Sequence, residues 1–104
     1  MKRRARGAIE GIVQGVGFRP FIYQQAGQYG LSGHVGNTDF GVDLEVEGSS
    51  ANIASFMASV EATPPPLAHI ASVQWRDVPF KNQKSFEIRQ SKSRQERSAL
   101  ISPD

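Results

Sequence analysis

Apolar positions recur at two different periods along this chain, and the changes of period mark its elements. Residues 5–13, ARGAIEGIV, are rich in small and β-branched side chains and predict a first strand. The two glycines between Gln14 and Phe18 predict a loop. Pro20 then suits the first position of a helix that runs through PFIYQQAGQYG to Gly30, a suitable residue just past its end. Ile22, Ala26 and Tyr29 lie three to four apart and supply its inward stripe, while Gly27 weakens its last turn. Residues 31–37, LSGHVGN, predict a short second strand. After the turn Thr38-Asp39-Phe40-Gly41, Val42, Leu44 and Val46 alternate with Asp43, Glu45 and Glu47, the pattern of a half-buried strand. On that pattern Glu45 and Glu47 belong to a solvated face.

Ser49 and Ser50 are N-cap candidates, and Ile53, Phe56, Met57 and Val60 follow at helical spacing. This second helix has to stop before Thr63-Pro64-Pro65-Pro66, because proline cannot continue it. Residues 70–78, with Ile70, Val73 and Trp75, predict a fourth strand, and residues 85–90, with Phe86 and Ile88, a fifth. The order β-α-β-β-α-β plus one strand predicts an α+β fold: a ferredoxin-like two-layer sandwich, its antiparallel sheet carrying two helices on one face. Phe18, Phe21, Tyr23, Phe56 and Phe86 are expected in its core. Residues 91–104, SKSRQERSALISPD, are polar with little periodicity and are expected to be a tail or linker after a domain spanning residues 1–90.

At 104 residues the chain has the size of one domain. It has no cysteine, hence no disulfide, thiol nucleophile or Cys-based metal site, and with only His34 and His69 no metal or cofactor is expected. No apolar run approaches the ~18 residues of a membrane span, and no apolar stretch follows the basic start. A soluble, cytoplasmic protein is the expectation. The formal charge of +2 is unevenly laid out. Lys2, Arg3, Arg4 and Arg6 lie at one end, and Arg76, Lys81, Lys84, Arg89, Lys92, Arg94 and Arg97 towards the other. Between Gly7 and Trp75 the single cation is Arg19, among Glu10, Asp39, Asp43, Glu45, Glu47 and Glu61. A nucleic-acid partner would need basic residues spread along one face, so this layout weighs against it and isolates Arg19.

The candidate chemistry lies in Gly11-Ile12-Val13-Gln14-Gly15-Val16-Gly17-Phe18-Arg19-Pro20. A strand feeds a glycine-containing loop that opens a helix, and such a junction points backbone N–H groups at an anion. Pro20 has no N–H, so the donors must come from Gly15, Val16, Gly17, Phe18 and Arg19. Arg19 adds a planar fork that takes two phosphate oxygens at once. On spacing alone, a tight turn beside a surface arginine accounts for the same residues. His34 reads as a packed or edge histidine.

The run Gly11 to Arg19 resembles the acylphosphatase signature G-x-V-Q-G-V-x-F-R at every fixed position, and Gly33-His34-Val35-Gly36-Asn37 with Gly41 resembles that family's second motif. Within the family, Gly17-Phe18-Arg19-Pro20-Phe21 and Pro65-Pro66-Leu67-Ala68-His69-Ile70 are similar to the N-terminal domain of the hydrogenase maturation carbamoyltransferases, HypF. The resemblance covers residues 7–90 and extends to Ile101-Ser102-Pro103-Asp104. It implies hydrolysis of a small acyl phosphate, carbamoyl phosphate if the parent is such a transferase, whose later domains would be this domain's partners. Arg19 takes the place of the phosphate-binding arginine, and Asn37 that of the asparagine that orients the attacking water. On the same resemblance, the main chain of Gly15 to Arg19 would form the phosphate cradle. His34 stands where the family has an aromatic residue, and Phe40 where it often has aspartate. Two other uses of the fold stay open from the residues alone: a phosphometabolite sensor without turnover, and an RNA-binding module.

Overall fold

A computed structural model describes residues 1–89. The elements follow in the order β1 (Lys2–Ile12), α1 (Phe18–Gln28), β2 (Ser32–Asn37), β3 (Gly41–Ser49), α2 (Ser50–Ala62), β4 (His69–Val78) and β5 (Phe86–Arg89). The sheet order is β4-β1-β3-β2-β5. Two split β-α-β units interlock in it. β1 and β2 run parallel with β3 between them, and β3 and β4 run parallel with β1 between them. The sheet is mixed rather than antiparallel throughout, because β5 pairs parallel to β2. The chain leaves β4 at one end of the sheet and re-enters from that end at the opposite edge, so β5 takes the direction of β2. Gln90 and the expected tail, residues 91–104, lie outside the described residues.

The alternation read from β3 holds on its apolar side. Ala5 and Ile9 of β1 pair with Val46 and Val42 of β3, and with Val35 and Leu44 they face Ile22, Ala26, Ile53, Phe56 and Val60 of the two helices, all buried. Phe18 joins this core, whereas Tyr23, expected there, is half exposed and meets Phe86 edge-on with ring centroids 6.1 Å apart.

The helix ends follow local chemistry. Gly17, in the left-handed region at φ 80°, is the N-cap of α1, so Pro20 is its third residue and not its first. The ring is harmless there, because the opening N–H groups of a helix have no intrahelical acceptor; the first such bond runs from Phe21 N–H to the Gly17 carbonyl, 3.1 Å. At the other end Gly30, φ 65°, fulfils the expected role: Leu31 N–H donates to the Ala26 carbonyl at 2.8 Å and Gly30 N–H to that of Gly27 at 3.2 Å, a Schellman closure. Ser49 caps α2, its hydroxyl oxygen accepting from Asn52 N–H at 3.1 Å.

The helix-free face departs from the expectation. β1 begins at Lys2, which sets Arg4 opposite Glu47 and Arg6 opposite Glu45. Glu45 and Glu47 are buried, 8% and 3% exposed, instead of solvated. The Arg4 guanidinium, buried with them, donates to Glu45 at 2.5 Å and to Glu47 at 3.1 Å. What covers them is the connection from β4 to β5, which must pass from one edge of the sheet to the other. On its way the main-chain N–H groups of Lys81 and Gln83 each donate to Glu47 at 2.6 Å, and the Gln83 amide accepts from Arg4 and donates to the Gly33 carbonyl. Burial alone would raise the Glu47 carboxyl; the two amides and Arg4 outweigh it and hold it below its ordinary value. Among the described residues no helix is long and apolar enough to cross a membrane.

Candidate active site

Because β1, β2 and β5 run parallel, their C-terminal ends share one end of the sheet. The loop after β1, the last residue of β2 and the last residue of β5 therefore come together, and α1 starts above them. This convergence brings sequence-distant Arg19, Asn37 and Arg89 into one neighbourhood.

The loop is shaped by handedness. Gly15 has φ 74° and Gly17 φ 80°, while Val16 between them keeps the ordinary negative sign. Alternating signs turn successive N–H groups to the same side, the backbone geometry of an anion nest. A Cβ built on Gly15 or Gly17 would meet nothing within 4 Å, so glycine is there for its φ and not for lack of space. Among the described residues no main-chain carbonyl accepts from the N–H groups of Gly15, Val16, Gly17, Phe18 or Arg19. The first turn of α1 contains no acidic side chain, and no side chain caps its N-terminus. No carboxylate of its own first turn compensates the positive end of the helix.

Arg19 is the second residue of α1 and half-buried. Its Nη1 donates to the main-chain carbonyl of Arg89 at 3.2 Å. None of the ion pairs among the described residues involves it. One N–H is thus spent on orientation by a neutral acceptor, and four of the guanidinium's five have no acceptor among the described residues. Asn37 closes β2 opposite Val42, on the same face as Val35 and hence beneath the helices. Its Oδ1 is buried and has no hydrogen-bond partner among the described residues.

His34 does not join them. Alternation along β2 places it on the other face, beside Glu45. It is half-buried, and burial first, then the charge of Arg89, holds its imidazole below its ordinary value. That face also carries a hollow of about 390 Å³ lined by Arg6, Glu10, Phe40, Asp43, Gln74 and Arg76, which includes neither Arg19 nor Asn37. Two of its charges already neutralise each other: Arg6 grips Asp43 with two bonds, 3.0 and 2.7 Å. A small anion is held by converging donors rather than by enclosed volume, so the open nest is the better candidate. Among the described residues no three His, Asp or Glu side chains gather as a metal site would require.

One contact escaped the reading of the sequence. The Gln14 amide nitrogen donates to the carbonyls of Thr38 and Gly41, at 2.5 and 2.8 Å, tying the loop to the turn that follows Asn37. Gln14 is a fixed letter of the first motif with two amide donors and no chemistry assigned to it, and that was the available signal.

The sequence pattern that defines the acylphosphatase family matches residues 5–88. The carbamoyltransferase HypF of Rhizobium leguminosarum bv. viciae is 44% identical over 86% of this chain, which spans 12% of that relative. A crystal structure of full-length HypF in a phosphate- and nucleotide-bound form superposes with a TM-score of 0.86 at 41% identity, over 88% of this chain and 12% of that one. An acylphosphatase from Bacillus subtilis superposes with a TM-score of 0.79 at 30% identity, over 86% of this chain and 99% of its own. The chain therefore spans about a tenth of the carbamoyltransferases it matches, and nearly all of a free-standing acylphosphatase.

Proposed function

The chain belongs to the acylphosphatase family, and on that premise we propose that it hydrolyses a small acyl phosphate to carboxylate and inorganic phosphate at the cradle of Gly15 to Arg19. One observation carries the reading: N–H groups without an acceptor among the described residues and a guanidinium not claimed by any described carboxylate converge at the mouth of α1. The substrate's phosphoryl oxygens take the N–H groups of Gly15, Val16, Gly17, Phe18 and Arg19 together with the Arg19 fork. Asn37 Oδ1, an acceptor without a partner among the described residues, accepts a hydrogen from the attacking water and aims its lone pair at phosphorus. The new P–O bond forms in line with the breaking one, and its electrons leave with the carboxylate. A carboxylate is a stable leaving group, so no general acid is required. The water's proton passes to a phosphoryl oxygen of the substrate, since neither motif supplies a base.

Similarity to the carbamoyltransferases supports carbamoyl phosphate as the substrate and a parent chain whose further domains take up the carbamoyl group. An RNA-binding use is disfavoured, because the sheet face such modules present to bases is here crossed by residues 79–85 and filled with paired charges. The test is release of phosphate from carbamoyl phosphate and benzoyl phosphate, with and without a chelator. Turnover of both that survives the chelator and is lost in Arg19→Ala and Asn37→Ala is the expected result. Binding of inorganic phosphate without turnover would leave a sensor, and turnover unchanged in both variants would remove this site from the reaction.

A further inference from the structure

Gln14 is exposed, yet its amide makes two of the site's shorter side-chain bonds. Both acceptors are main-chain carbonyls, so the contacting atom is the NH₂ group and the orientation of the amide is fixed by the network. The acceptors bracket one turn. Thr38 follows Asn37 directly, and Gly41 begins β3. The turn is rigid in itself: Thr38 N–H donates to the Gly41 carbonyl at 2.9 Å, and the Thr38 hydroxyl accepts from the N–H groups of Phe40 and Gly41 at 3.3 and 3.1 Å. Holding its two ends from Gln14 therefore holds the residue next to it. On the other side, Gln14 immediately precedes Gly15, the first residue of the nest.

From this placement we propose that Gln14 is a positioning residue for the reaction inferred above: it sets the distance between the phosphate cradle and the Asn37 amide. The inference rests on that reading of the site. The two halves of the centre stand on different elements, the loop after β1 and the end of β2, with β3 between the two strands. In-line attack needs the oxygen of the water and the phosphorus in register, and an error of one ångström costs roughly 10²-fold in rate. A donor that reaches across from loop to turn supplies that register directly. Being exposed, it contributes little to the core, so its loss acts on geometry before stability.

Gln14→Leu removes the donors at similar size, and Gln14→Glu keeps the shape while setting an acceptor against two carbonyls. Both are compared with the native chain for melting temperature, inorganic-phosphate affinity, kcat, and the ¹⁵N resonances of the Asn37 side chain and of residues 38–41. The expected result is a kcat lower by about 10- to 100-fold with phosphate affinity within about twofold and Asn37 resonances shifted or broadened. In an Asn37→Ala background Gln14→Leu should add nothing further, because its effect runs through Asn37. Unchanged kcat, an equal loss in the Asn37→Ala background, or unmoved Asn37 resonances in a folded variant would each overturn the proposal. If the native chain released no phosphate, the reaction would be wrong, and the resonances would still decide whether Gln14 holds Asn37.

Discussion

The Arg19 guanidinium is aimed by a carbonyl, and this choice of partner has consequences for substitution. A carboxylate in that place would neutralise the charge, whereas the Arg89 carbonyl takes one N–H and leaves it whole for the anion proposed above. Lysine at this position keeps the charge but has neither the planar fork nor a donor left over for Arg89 in the same geometry. Arg19→Lys should lower phosphate release by about 10²–10³-fold, roughly the loss of one preorganised donor, with the circular dichroism and melting curve of the native chain retained. Turnover near the native rate would exclude the fork. Two glycines elsewhere give opposite signs for one substitution. A Cβ on Gly7 would stand 2.3 Å from Cζ3 of Trp75, whose ring is held by a 3.0 Å bond from its N–H to Glu61 and an edge contact with Phe56. Gly7→Ala should cost about 1–3 kcal/mol and shift the tryptophan fluorescence. Gly27, inside α1 with nothing within 4 Å of its Cβ direction, should gain about 0.5–1 kcal/mol on Gly27→Ala. Urea denaturation of the two variants measures both; a common sign would contradict this packing.

At the scale of elements, local signals were legible and long crossings were not. The two helices, the hairpin of β2 and β3, the Gly30 closure and the serine cap were all readable, because each depends on residues a few positions apart. Pro20 was misplaced by two positions, since proline is tolerated throughout the first turn and gives no sharper mark. The parallel pairing of β5 and the burial of Glu45 and Glu47 had no local signal. Alternation says only that two faces differ; it does not say that residues 79–85 return across the polar one. The crossing is held largely at Glu47, which accepts from Lys81, Gln83 and Arg4. Glu47→Ala leaves the buried Arg4 half-compensated and two part-buried N–H groups without an acceptor, and should destabilise by about 3–5 kcal/mol. The exposed pair of Arg3 and Asp77 is of similar length but surrounded by water, so Asp77→Ala should cost about 0–1 kcal/mol. Chemical denaturation separates the two, and equal costs would mean that the crossing connection does not seal Glu47 from solvent.

Across the whole molecule, the uneven charge seen in the sequence is a record of strand pairing. The basic start is β1, the acids of β3 are its neighbours, and antiparallel register brings them together on the helix-free face. Arg19 remains apart because it forms no ion pair among the described residues, which is what sets it forward as a candidate. The motif pointed to the loop proposed as the cradle; that the ends of β2 and β5 lie beside that loop needed the parallel directions of three strands. The same face sets the response to acid. For Glu45, burial favours the neutral form but the Arg4 hydrogen bond and charge prevail, and both Glu45 and Glu47 titrate below the ordinary 4.5. A carboxyl with a lowered folded value gives stability that is complete above its unfolded value and is lost as pH falls through the folded one. His34, lowered from 6.5 first by burial and then by Arg89, has the same direction: its neutral form is favoured by folding, so stability declines as pH drops below 6.5. The groups facing His34 include Glu45 and Asp43, which oppose the shift, and Arg4, which adds to it. Urea midpoints should therefore be level from about pH 8 to 7, fall gently below 6.5, and fall steeply below 4.5 as the two glutamates protonate around a buried Arg4. His34→Gln should remove the gentle slope and leave the steep one, because the two arise from different groups on one face. A gentle slope that persists in His34→Gln would assign it elsewhere, and a curve still level below pH 4.5 would mean that Glu45 and Glu47 keep their charges by some means other than the contacts with Arg4, Lys81 and Gln83.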